Sequence, residues 1–180
     1  LQDKADGANG FTSNASYSFW VADTQAPGVT AYLPAQGAIN QAADVSIVLR
    51  FDEHVVAGTG SVLLTPRANN YTSQSAGSAV TIPIGDAQIT FDSTSPNGTI
   101  VVIKPSIELV RIGAQYVVSI PDTGILDTSG RAYPGLGGTN YSFGTVDTVA
   151  PQITSYLPAQ GAVNQPKSSS IVLTFDEHIQ

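Results

Sequence analysis

Acidic side chains are the groups in this chain best placed to do chemistry, and they recur in a fixed pattern. Asp52-Glu53-His54 returns as Asp176-Glu177-His178, and Asp23 returns as Asp147. The chain has 14 Asp and Glu, 7 Lys and Arg, 2 His and no Cys. Thiolate nucleophiles, thiolate metal sites and disulfides are therefore excluded, and the compartment stays open on this count. A histidine flanked by Asp and Glu can act as a metal ligand or general base. The spacing of His54 and His178 favours a plainer place at the surface, at a strand end. No Ser-His-Asp arrangement follows, because a triad is defined by geometry that this spacing does not suggest. Asp52 and Glu53 also fail as a glycosidase dyad, since strand neighbours point to opposite faces and cannot flank one bond. No catalytic residue is expected, and the chain is expected not to be an enzyme. What clustered carboxylates can do is hold a hard cation, if the fold brings them together.

The elements that must position them are short strands. Apolar residues alternate with polar ones in Val45-Ser46-Ile47-Val48-Leu49-Arg50-Phe51, so Val45, Ile47, Leu49 and Phe51 face inward. Further strands are predicted over 29–33, 61–65, 79–84, 87–91, 99–104, 116–120 and 140–145. Asp92 to Gly98 is dense in turn residues. No window has helical periodicity. About eight short strands with turns between them predict an all-β, antiparallel, two-sheet sandwich of Greek-key type. Tyr116 opens the penultimate strand, where such sandwiches keep a tyrosine whose hydroxyl bonds back to the preceding corner; an ordinary half-buried strand tyrosine is the equal alternative.

The sequence also repeats itself. Residues 23–54 return without a gap at 147–178, with the same residue at 22 of 32 positions. Tyr17-Ser18-Phe19 returns in register as Tyr141-Ser142-Phe143. A period this long fits one whole domain per repeat. Residues 1–22 then form the C-terminal part of a preceding repeat, 23–146 one complete repeat, and 147–180 the N-terminal part of a following one. The expectation is an excerpt of a longer covalent array. Assembly of short subunits that complete each other by strand addition is the alternative. Tyr17 and Trp20 fall in the last strand of the preceding repeat, where core packing is the expected role and sugar stacking the lesser one.

Strand direction gives the acids a meeting place. If the first strand runs away from the incoming linker, the second returns, and so does the penultimate one. Asp23, Asp52, Glu53, Asp122 and Asp127 then gather at one junction between repeats. Calcium, which accepts six to eight oxygens in flexible geometry, suits such a site. The alternative is five solvated loop acids acting as turn formers and solubilising charge, which the missing D-x-D-x-D-G spacing favours. Net charge is −7, and the few basic residues form no cluster, so nucleic acid and anionic lipid are not expected partners. No apolar run approaches the ~20 residues needed to span a bilayer. Asn14, Asn70, Asn97 and Asn140 lie in glycosylation sequons, and Asn97-Gly98 also reads as a turn.

The series Asp23-Thr24-x-Ala26-Pro27, Pro34-x-x-Gly37, Ile47-x-Leu49-x-Phe51-Asp52-Glu53, Tyr116-x-Val118, Leu126-Asp127-x-x-Gly130 and Tyr141-Ser142-Phe143 resembles the bacterial Ig-like repeat typified by S-layer proteins, the SbsA-type Ig-like domain. The resemblance covers the full repeat and both fragments. It departs from the family at His54, where Pro is common, and in the long, Gly-rich 122–138 segment. It implies tandem immunoglobulin-like sandwiches in a secreted or cell-surface protein. Three roles follow. The leading one is a rigid spacer in an extracellular filament, stalk or surface layer, whose partners are neighbouring modules of the same or identical chains. The second is an adhesin module binding glycan or surface protein through 122–138. The third is an accessory domain of a secreted hydrolase.

Overall fold

Alternating runs become strands where an apolar face can be covered, and turn residues break them. A computed structural model describes residues 18–19, 21–67, 77–110 and 112–179. Its strands are β1 (Val29–Leu33), β2 (Ile47–Phe51), β3 (Val55–Ala57), β4 (Ser61–Arg67), β5 (Val80–Pro83), β6 (Ile89–Asp92), β7 (Ile100–Ile103), β8 (Gln115–Ser119), β9 (Ile125–Asp127), β10 (Ser142–Gly144), β11 (Ile153–Leu157) and β12 (Val172–Phe175). No helix occurs among the described residues. One sheet has the order β1-β2-β7-β6 and the other β10-β8-β4-β5, all antiparallel. This is the Greek-key order of an immunoglobulin-like sandwich.

The two sheets close on one core. Ile47, Leu49, Phe51, Val101 and Ile103 from the first face Val62, Leu64, Ile82, Tyr116, Val118 and Phe143 from the second, and all are buried. Each such side chain contributes about 1.5–3 kcal/mol of transfer free energy. Of the predicted inward set, Ile47, Leu49 and Phe51 are buried, while Val45 packs partly against the core ahead of β2.

Tyr116 makes the corner. Its hydroxyl accepts a hydrogen bond from Val110 N at 3.0 Å, pinning the chain that precedes β8. The Tyr116→Phe variant is expected to lose about 1–2 kcal/mol, since Val110 N keeps no acceptor there. Urea unfolding checks this through a lower midpoint at unchanged slope.

Two strands were not foreseen. β3 and β9 pair antiparallel in a separate ribbon, Val55 opposite Asp127 and Ala57 opposite Ile125. The long, Gly-rich 122–138 segment therefore contains a strand and is packed onto the module. Ile125, Asp127, Tyr133 and Leu136 are buried, and the segment is strapped down by the Ile120–Leu136 and Leu126–Ala132 bridges. A run of three residues is too short for any period-two test.

β11 and β12 repeat the pairing of β1 and β2, including the same register irregularity: Val29–Phe51 and Tyr32–Leu49 correspond to Ile153–Phe175 and Tyr156–Leu173. Leu33-Pro34 and Leu157-Pro158 are both cis, and Asn40 and Asn164 share a φ of 58°.

Candidate cation site at the linker

The site is built where the linker enters β1, where β2 ends and where β9 ends. The Asp92–Gly98 turn braces it from behind. Thr99 N donates to Glu53 O at 3.0 Å, Phe51 N donates to Thr99 O at 3.0 Å, and Val55 N donates to Thr99 Oγ1 at 3.0 Å. These bonds fix the main chain of Glu53 between β2 and β3.

Asp127 closes a tight turn. Its Oδ1 accepts from Ser129 N and Arg131 N, both at 2.7 Å, and its main-chain O accepts from Gly130 N at 3.2 Å. That bonding accounts for the Asp127-x-x-Gly130 spacing. The residue is 1% exposed, and its Oδ2 is buried with no hydrogen-bond partner. Beside it, Arg131 Nε donates to the main-chain O of Asp23 at 2.9 Å, which holds the linker against the module. Sequence reasoning passed over Arg131; its only signal was a cation within an otherwise polar turn.

Asp23, Glu53 and Asp127 converge, each offering a carboxylate oxygen, with these oxygens all within 4.8 Å of one another. Asp23 Oδ1 also accepts from Gln25 N at 3.0 Å. Burial pushes the Glu53 carboxyl above its ordinary range, and the negative charges of Asp23, Asp127 and Asp52 and a hydrogen bond with Asp23 push the same way. The arrangement thus disfavours a third negative charge at this spot.

The other two predicted ligands lie apart. Asp52 Oδ1 accepts from Gly28 N at 2.8 Å while Asp52 N donates to Gly28 O at 3.0 Å, so this side chain clasps the linker's end to the end of β2. Asp122 is exposed in a shallow pocket with Gly58, Thr59, Thr123, Leu126 and Ala132. His54 and His178 are exposed, and the three-carboxylate group contains neither.

The following repeat rebuilds the part of this arrangement that its residues supply. Asp176 Oδ1 accepts from Gln152 N at 2.7 Å, and Asp147 Oδ1 from Val149 N at 3.0 Å. Glu177 is again pushed up, by burial, by the charges of Asp147 and Asp176, and by a hydrogen bond with Asp147. Its Oε1 is buried without a partner.

Of the sequons, Asn97 and Asn140 are exposed, but their hydroxyl residues are not. Thr99 and Ser142 are buried, with Thr99 Oγ1 bonded to Ser93 Oγ at 2.9 Å and Ser142 Oγ to Gln115 Nε2 at 3.3 Å. Asn14, Asn70, Tyr17 and Trp20 lie outside the described residues.

The sheet order, the tyrosine corner and the acidic pole where the linker enters define an immunoglobulin-like β-sandwich module. The chain belongs to the bacterial Ig-like domain family, whose model, described as Bacterial Ig-like domain, matches residues 23–145 and 147–180. Comparison with curated proteins and with solved structures gave no match. Domains of this family are typically non-catalytic structural modules, and they are commonly found in bacterial extracellular or surface proteins.

Proposed function

We propose that this chain is a stretch of a covalent array of Ig-like modules, in which rigid spacing within an extracellular filament, stalk or surface layer is the function. Residues 1–22, 23–146 and 147–180 are the end, the whole and the beginning of three consecutive modules. The observation that carries this is the double engagement of Asp147. Its main chain bridges to Ile112 just after Val146 N donates to Gln41 O, while its carboxylate stands near Glu177 of the next repeat and its charge helps push that carboxyl up. One residue therefore belongs to both modules, and the connection has no slack to act as a hinge. Pro151, four residues on, stiffens it further. Residues 122–138 favour this reading over an adhesin role, because their larger apolar side chains are taken up by the core.

Two copies of 23–146 joined head to tail place Val146 before Asp23, the counterpart of Asp147, and small-angle scattering reads the stiffness of that junction. The expected result is one extended shape with a narrow distance distribution, which broadens when a five-residue Gly-Ser segment is inserted after Val146. If the uninterrupted junction gave a distribution as broad as the inserted one, the spacer reading would be lost.

A further inference from the structure

We infer that Asp23, Glu53 and Asp127 form a calcium site that clamps each linker onto the module it enters. Two independent observations point there. The first is the convergence of three carboxylates with ligand oxygens within 4.8 Å of one another. Opposite ligands of one calcium ion lie about 4.8 Å apart, given bonds of about 2.4 Å, so oxygens within that limit can all reach one ion. The second is Asp127 Oδ2. It is buried and unpartnered on a residue 1% exposed, while the other oxygen of the same carboxylate is engaged by two backbone amides. A buried carboxylate oxygen left without a donor is costly, and a cation beside it removes that cost.

The ligand set joins two parts of the chain. Asp23 belongs to the linker, whereas Glu53 and Asp127 are held by the turn and ribbon of the module. Arg131 already ties the Asp23 carbonyl down through Nε, and the cation would tie the Asp23 carboxylate. Each carboxylate offers one oxygen to the group, and water completes the shell of a cation that accepts six to eight. In the next repeat Asp147 and Glu177 take the places of Asp23 and Glu53.

The mechanical consequence, a linker stiffened by calcium, rests on the spacer reading; the binding does not. The test uses the whole 180-residue chain. In millimolar calcium its Tm is expected to rise by about 5 °C or more over the chelated form, as for any ligand that binds only the folded state. Glu53→Gln and Asp127→Asn are expected to abolish that rise and to weaken calcium binding in titration calorimetry at least about tenfold. Should Asp127→Asn fail to fold, Glu53→Gln, on a half-exposed side chain, decides alone. Asp122→Asn, outside the group, is expected to keep the full response. An unchanged Tm in calcium, or a full response in Glu53→Gln, overturns the site. Scattering of the two-copy protein separates the readings. A stiff pair that binds no calcium sinks the site alone, while a calcium-binding pair that stays flexible sinks the spacer reading alone.

Discussion

Replacing Gly98 by alanine is expected to lower the stability of the 23–146 module by about 3–5 kcal/mol, a large share of what a domain of this size possesses. Gly98 has a φ of +121°, where residues with a side chain are strained. A Cβ there would overlap Phe51 O and press to 3.0 Å from Glu53 N, both of them backbone atoms that cannot swing aside. Those atoms sit in the segment that Thr99 holds through three hydrogen bonds. The substitution therefore strikes the core edge at Phe51 and the main chain that aims Glu53. Urea unfolding measures the loss. Gly137→Ala is the matched control: its added Cβ meets nothing within 4 Å, so a change within about 0.5 kcal/mol is expected. Equal effects at the two positions would show that the 98 turn accommodates a side chain by another path.

Stability is also expected to collapse in alkali, with an onset near pH 10. Tyr116, Tyr133 and Tyr141 are buried, and burial pushes each phenol above its ordinary value, with Tyr32 adding to the shift at Tyr133 and Tyr141. The Tyr141 hydroxyl donates to Pro34 O at 2.8 Å, and its ring stacks on Tyr32 at 4.6 Å, so ionisation would break a bond inside the core. The sign follows from proton counting. Below pH 10 the phenols are protonated in both states and stability does not depend on them. Above it the unfolded chain gives up protons that the folded module retains, so stability falls by about 1.4 kcal/mol per pH unit for each tyrosine. Tyr133 and Tyr141, the two most strongly shifted, together make about 3 kcal/mol per pH unit, enough to unfold the module near pH 12. Unfolding free energies measured from pH 8 to 12, with tyrosinate absorbance followed in parallel, test this. Tyr141→Phe should reduce the slope by up to about a half. Stability that stays flat through pH 11.5 would contradict the burial of these phenols.

Much of the fold was legible in the sequence because local patterns dictate it. The alternation in Ile47 to Phe51 sets one buried face, the Asp92–Gly98 turn residues break the chain where β6 returns into β7, and Tyr116 marks a corner that its hydroxyl does form. β3 and β9 escaped because three residues carry no period. Their pairing is decided by Gly58, Thr59 and Gly124 meeting across the ribbon, where Gly58 N donates to Gly124 O at 2.8 Å and Thr59 N to Thr123 O at 2.7 Å.

The repetition of the chain, its strand alternation and the delivery of acids to the linker's pole were determined by the sequence alone, since each depends on residue order and strand direction. Which acids meet was decided only by the tertiary structure. Past the end of β2, Asp52 is bonded to Gly28, the β3–β9 ribbon buries Asp127, and Asp122 is left exposed before the ribbon begins. A carboxylate's partners depend on side-chain direction and on chain distant in sequence, and neither is written in its immediate neighbours.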